Sequence, residues 1–352
     1  MTSYQLVPNL NDISRNLQNP KYLEWNFEIQ RMITPHTLFS ANYVGNRGYD
    51  ELYGNFALNG FGQGNLPATV PDPRVARVTT TQNGAISNYN GVTLSLQENA
   101  WHGLSGRLNY SYSHALDESS NGGILPFSVF YSIQAQIDPF DLRKNYASAD
   151  YDARHQISAS YVYALPFKTG HRLLDAAVRG WQISGTVFYR TGFPFSATDS
   201  AYTGGLTTNN LNGAVILLQP LFSQRNFGNV KGCILSGCFG IQGGLNSSAP
   251  FLFSQTTSTS PFAGAVGRNA FRGPGFLGGD MSLRKNFHIG ERLGFQLGLN
   301  AYNWLNHANY GSPYAGTNFG PAFGQVIFTE APSTSPYGAF ASAATDMRMV
   351  QV

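Results

Sequence analysis

Long apolar runs are missing from this sequence. Uninterrupted apolar stretches are short, such as Ala214 to Leu218, and none nears the roughly 18–20 residues of a membrane helix. Charge is also scarce: Asp, Glu, Lys and Arg make up 12% of the 352 residues, against about 25% in ordinary soluble domains. The formal net charge of +3 and the scattered basic residues exclude a nucleic-acid surface. Cysteine is nearly absent. Cys233 and Cys238 stand in Cys-Ile-Leu-Ser-Gly-Cys with no adjacent histidine, too few ligands for a metal site. A small loop disulfide, with Cα atoms within about 7 Å, and a pair of unpaired thiols both remain open. The seven histidines are dispersed without metal-ligand spacing. The Gly-rich stretch Gly273–Gly279 lacks the Gly-Lys-Ser/Thr of a phosphate loop. The N-terminus shows neither the basic n-region nor the apolar h-region of a signal peptide.

What is abundant suits strands. Aromatic residues reach 14%, led by 25 Phe and 19 Tyr. Residues alternate with a period of two over about ten positions, the strand pattern. Leu23, Trp25, Phe27 and Ile29 oppose Glu24, Asn26, Glu28 and Gln30. Leu104, Leu108, Tyr110 and Tyr112 oppose Ser105, Arg107, Asn109, Ser111 and Ser113. Ile157, Ala159, Tyr161 and Tyr163 oppose Ser158 and Ser160, and Trp181, Ile183, Val187 and Tyr189 oppose Gln182, Ser184, Thr186 and Arg190. The polar face is mostly Ser, Asn, Gln and Thr rather than the Lys and Glu of a water-facing sheet.

The pattern predicts nine strands, at 22–33, 37–47, 87–98, 103–115, 151–164, 178–190, 279–288, 292–305 and 344–352. Short turns join some pairs, and long segments (48–86, 116–150, 191–278, 306–343) join others. Strands of this length, short turns at one end and long loops at the other describe an outer-membrane barrel. The fold expected is all-β: an antiparallel transmembrane β-barrel segment that forms an open, curved sheet in isolation, apolar on its convex face and polar on its concave face.

No catalytic group emerges. Asp152, Arg154 and His155 are close in sequence, but alternation sends His155 to the face opposite Asp152 and Arg154, so the three cannot converge. Asp152 and Arg154 read instead as a charge pair near the loop-side rim, since partly buried charges are usually paired. Asp141 and Arg143 either join that network or form an ordinary loop end. Trp101 and Trp181 suit interfacial aromatic girdles. Parity sets Trp304, Tyr302 and Arg190 on the polar face, as candidates for facing a substrate. Neither a cofactor nor a metal is implied.

Four stretches carry a family resemblance: Asn19-Pro20 with Trp25 to Arg31; Tyr89 to Leu94 with Leu108 to Ala115; Asp141 to His155 followed by Gly180-Trp181 and Thr191 to Phe195; and Gly267-Arg268-Asn269 through Asp280 with Asn300 to His307. In this order and spacing the chain resembles the C-terminal barrel portion of TonB-dependent outer-membrane receptors, of the Oar-like type. Such receptors have about 22 strands around a plugged lumen. The resemblance implies that residues 1–352 are a partial barrel domain, without the plug and first strands, and with the last strand cut short at Val352. It implies residence in the bacterial outer membrane with lipid as a partner, contact with the TonB complex through the missing N-terminal part, and an unknown extracellular ligand. The activity implied is import of a large scarce nutrient such as a glycan, peptide or siderophore. A non-transporting barrel acting as an adhesin, or a soluble all-β glycan-binding module, are the alternatives.

Overall fold

The protein is described here by a computed structural model covering residues 8–55, 58–59, 69–75, 78–120, 141–196, 219–220, 251–252, 268–289, 293–311 and 349–351. Its elements in chain order are β1 (Leu10–Ile13), β2 (Lys21–Met32), β3 (Thr37–Asn55), β4 (Val78–Trp101), β5 (Leu104–Asp117), β6 (Ala147–Ser148), β7 (His155–Ala164), α1 (Arg172–Val178), β8 (Trp181–Arg190), β9 (Pro194–Phe195), β10 (Gln219–Pro220), β11 (Phe251–Leu252), β12 (Phe271–Arg272), β13 (Phe276–Ile289), β14 (Leu293–Tyr302) and β15 (Met349–Gln351). One sheet dominates, in the order β15-β14-β13-β8-β7-β5-β4-β3-β2. Every neighbour on this path is antiparallel. The sheet is not closed, and β2 and β15 are its two ends among the described residues. Each of the nine predicted strands is present, the last as Met349–Gln351 alone among the described residues.

The ladder brings the apolar positions of successive strands into continuous rows. Ile29, Ala41, Leu94, Tyr110, Ile157, Tyr189 and Leu277 are cross-strand partners in turn. Phe39, Leu96, Leu108, Ala159 and Val187 form the next row. The interleaved row on the other face reads Gln30, Ser40, Ser95, Asn109, Ser158 and Phe188. Side chains cross-link it: Ser95 donates to Asn109 Oδ1 at 2.6 Å, and Asn109 donates to Ser158 Oγ at 3.2 Å. Among the described residues no layer covers the apolar face. Phe27 is 63% exposed, Leu108 46% and Phe295 58%. A soluble sandwich would bury these rows between two sheets. Here they form a lipid-facing surface.

Two features depart from the sequence pattern. β3 and β4 run well past the predicted 37–47 and 87–98 into what reads as a loop, to 19 and 24 residues. At about 3.4 Å per residue β4 spans on the order of 80 Å, more than twice a hydrocarbon core of about 30 Å. The extension hides from a parity reading because bulges interrupt it. The register shifts on either side of Glu51, where Asp50 takes φ 53° and Gly84 φ 134°. β1 then adds to the extended β4 in parallel, Leu10 opposite Val78. Second, the 165–177 connection contains the short helix α1. No helix among the described residues is long and apolar enough to cross a membrane.

A flat aromatic packs near the β2 edge. A Cβ on Gly45 would fall 2.1 Å from the Trp25 ring, so the glycine is what lets the indole lie across β3. Trp25 Nε1 donates to the Tyr43 hydroxyl at 3.4 Å, which donates to Asn90 Oδ1 at 2.7 Å.

Adjacent positions on β7 test the two faces. Ala159→Arg places a charge in the lipid-facing row and is expected to cost ~2–4 kcal/mol of folding free energy in phospholipid vesicles. Ser158→Arg, on the polar face, is expected to cost under about 1 kcal/mol. Equal costs in urea titrations of the two variants would contradict the assignment of faces.

Candidate functional site

Two constellations stand out, one at the long-loop rim and one on the polar face. The rim is built where β5, β7, β8 and β13 end or begin. Arg268 is its centre, 3% exposed at its side chain. Its Nη1 pairs with Asp117 Oδ1 at 2.7 Å and its Nη2 with Asp150 Oδ1 at 3.0 Å. Nη2 also donates to Ser120 Oγ at 2.7 Å, and Ser120 donates to Asp117 Oδ2 at 2.7 Å. Asn269, at φ 53°, donates through Nδ2 to Asp150 Oδ1 and to the Ser148 carbonyl, both at 2.7 Å. Burial works against the Arg268 charge, but Asp150 and Asp117 outweigh it and raise its pKa. Beside it, burial raises the Tyr151 phenol, helped by Asp117, Glu51 and Asp150, and burial likewise pushes the Glu118 carboxyl up.

Asp152 anchors the second half of the rim. Its side chain is 1% exposed and pairs with both Arg154, at 2.8 Å, and Arg272. Oδ1 accepts the backbone N–H of Ala115 at 2.8 Å. Arg272 Nη1 also donates to the carbonyls of Asp152 and Gly192. The close approach of 191–192 to 273–275 needs Gly192, where a Cβ would lie 1.8 Å from the Gly273 carbonyl. These bonds replace the first turn of the predicted 151–164 strand, so β7 starts at His155. His155 faces away and meets Tyr110, whose hydroxyl lies 2.8 Å from Nδ1.

Other sequence candidates fall elsewhere. Asp141 and Arg143 belong to a 3₁₀ turn over Leu142–Asn145. Their backbone carbonyls close that turn onto Lys144 and Tyr146, and their charges act on Glu118. Among the described residues no bond joins either to Asp152 or Arg154. Arg190 is 4% exposed, its guanidinium 3.8 Å from the centre of the Phe193 ring. It is packed inside the rim. Parity fails at Trp304. The strand ends at Tyr302, and the indole Nε1 comes within 3.3 Å of where a Gly279 Cβ would sit, in the row with Val187 on the apolar face. Cys233 and Cys238 lie outside the described residues. Arg268, Asp117 and Asp150 were not singled out by their sequence spacing. The pairs are 118 and 151 positions apart, and the signals were Asp150 within the family-like stretch Asp141 to His155 and Arg268 within Gly267-Arg268-Asn269.

Tyr302 lies on the second constellation, a groove of about 520 Å³ on the polar face. The ladder aligns Ser160, Thr186 and Asp280 in one row and Ser184, Ser282 and Asn300 in another. Tyr302, 40% exposed, adds an aromatic ring. The Ser160, Ser184 and Thr186 hydroxyls have no partner among the described residues, and Asp280 is exposed. Unspent donors and acceptors beside one carboxylate can hydrogen-bond a polar ligand. No group of three His, Cys, Asp or Glu among the described residues can hold a metal ion.

The rim makes a stability prediction. Arg268→Ala leaves Asp117 and Asp150 buried without their cation and is expected to destabilise the folded chain by ~3–5 kcal/mol. Arg74→Ala, in an exposed pair with Asp72 at 2.7 Å, is expected to leave the unfolding midpoint essentially unchanged. Denaturant titration of both variants against the parent checks the contrast, and an Arg268→Ala cost as small as that of Arg74→Ala would refute it.

No curated protein matches the sequence. Among solved structures it is similar to the outer membrane transporter YddB from Escherichia coli, at 10% identity and TM-score 0.47, over 86% of this chain and 31% of that one. It is similar to the ferric-catecholate import receptor Fiu from E. coli K12, at 11% identity and TM-score 0.39, over 88% and 26%. It is also similar to the FrpB iron transporter from Neisseria meningitidis, at 10% identity and TM-score 0.39, over 86% and 29%. The chain thus spans about a third or less of the length of each. A family model described as outer membrane beta barrel domain matches residues 2–351, and the chain belongs to that family, whose place is the bacterial outer membrane.

Proposed function

We propose that the chain forms part of the wall of a TonB-dependent transporter of the Oar-like type, which binds a large scarce nutrient outside the cell and imports it. In this reading the plug and the first barrel strands are supplied by residues beyond this chain, and contact with the TonB complex is made there. One observation carries the proposal. The face turned away from lipid holds a groove where the Ser160, Ser184 and Thr186 hydroxyls have no partner among the described residues, beside Asp280 and Tyr302, on strands that also lead to the rim of buried ion pairs. The family-like stretches supply the TonB-dependent part of the reading.

In mechanism, the rim holds the long-loop ends in place while the groove offers hydrogen bonds and a ring face to a passing ligand. Asp280 is half-engaged, accepting the Asn303 N–H at 3.1 Å, which fixes its direction. Asp152 and Asp117 are spent within the rim and do not reach a ligand. The nutrient is a glycan, a peptide or a siderophore.

The test is growth of the source bacterium on limiting glycans, peptides or iron chelates. Removing this coding region is expected to abolish growth on one nutrient class, and inactivating TonB to abolish it on the same class. Growth unchanged on every class, or loss of surface adhesion alone, would contradict transport.

A further inference from the structure

The short-turn rim carries an assembly that transport leaves unused. Residues 165–180 connect β7 to β8 and include α1. The connection begins by pairing back to the sheet, Leu165 N–H to the Trp181 carbonyl at 2.9 Å. The Asp175 carboxylate then ties it together, accepting the Thr169 N–H at 2.7 Å and the Thr169 hydroxyl at 2.9 Å.

Two bonds fix which side of the wall the helix occupies. Trp181 Nε1 donates to the Ala177 carbonyl at 3.0 Å. Lys285 Nζ donates to the Arg179 carbonyl. Trp181 and Lys285 are cross-strand partners, and Lys285 pairs on its other side with Leu297. All three lie on the apolar, lipid-facing side. The end of α1 therefore sits on the outer side of the wall, away from the polar face.

Lys285 is 2% exposed, with Nζ 5.6 Å from the Trp181 ring and 5.1 Å from the Phe287 ring. A lysine on the lipid face of a barrel is costly at the bilayer centre and nearly free near the interface. Tryptophan prefers the same level. Both residues place this end of the sheet at the headgroup boundary. The connection adds exposed Phe167 (52%) and Leu174 (55%), with exposed Lys168 and with Arg179, whose guanidinium lies 3.7 Å from the Asp175 carboxylate and is 56% exposed at its side chain.

We propose that the β7–β8 connection is an interfacial anchor that binds an anionic phospholipid of the leaflet on the short-turn side. Phe167 and Leu174 supply apolar contact at the acyl boundary, and Lys168 and Arg179 supply the charge that recognises the lipid phosphate. The occupant follows from continuity with the lipid-facing sheet and from the excess of cations beside exposed apolar side chains. Short turns are periplasmic in barrels of this class, so the lipid belongs to the periplasmic leaflet. The inference needs the membrane placement of the chain and does not depend on transport.

The experiment uses the full chain folded into phosphatidylcholine vesicles with and without phosphatidylglycerol. Trp25, Trp101 and Trp304 are replaced by Phe so that Trp181 reports alone. Nitroxide-labelled phosphatidylglycerol is expected to quench Trp181 more strongly than nitroxide-labelled phosphatidylcholine. Lys168→Gln with Arg179→Gln is expected to lower that preference roughly tenfold, and Phe167→Ser with Leu174→Ser to reduce quenching by both lipids. Equal quenching by the two lipids in the parent, or a preference unchanged by the charge variant, would overturn the proposal. Native mass spectrometry of the unaltered chain and the charge variant, read for co-purified phosphatidylglycerol, gives the same decision without tryptophan replacement. Absence of retained anionic lipid on the unaltered chain would overturn it there.

Discussion

A peptide group in hydrocarbon has no water to bond, and leaving one N–H or C=O unpaired there costs several kcal/mol. A chain with no apolar run long enough for a helix therefore meets lipid through a continuous strand ladder. Every larger feature here depends on that ladder. It pairs β2 through β15 edge to edge along one path. Once the backbone is paired, side chains alternate between faces without choice, and a row such as Leu96, Leu108, Ala159 and Val187 forms from four strands. The same ladder leaves the opposite face to Ser, Asn and Thr, whose hydroxyls and amides bond one another across strands.

Beyond the membrane the ladder alone cannot organise the chain. At the long-loop rim, buried ion pairs take over. Asp117, Asp150 and Asp152 come from the β5 end and the approach to β7, and Arg268 and Arg272 come from the approach to β13. Each carboxylate is satisfied by more than one donor, the condition under which burying a charge is tolerable. The cost of desolvation makes the arrangement specific, because a shifted loop would strand a charge. The rim and the polar groove share β8 and β13. Displacing the 268–275 segment would therefore disturb the strands that carry Thr186 and Asp280.

The sheet itself was legible because its signal is local. Ile157, Ala159 and Tyr161 alternate with Ser158 and Ser160 whatever the rest of the chain does. What defeated the reading was a break in parity or a partner far away in sequence. Bulges at Asp50 and Gly84 reset the alternation and concealed the upper β3–β4 ribbon. A turn at Asn303 carried Trp304 off the face that counting assigned to it. Arg190 kept its parity, but Phe193 and Phe276 closed over it. Asp152 and Arg154 are paired, yet Arg272, 120 positions away, supplies the cation that links them to the β13 side. The groove needed cross-strand register, which no single strand contains.

The central claim is that one face of this sheet meets lipid and the other meets water. Its most direct measurement is a nitroxide scan along β5 in phospholipid vesicles, reading collisions with oxygen and with a water-soluble nickel chelate at each position. The account predicts a period of two, with oxygen favoured at Leu108, Tyr110 and Tyr112 and the nickel chelate favoured at Arg107, Asn109 and Ser111. Accessibility to both reagents without alternation, or exclusion of both at the apolar positions as in a buried core, would contradict it.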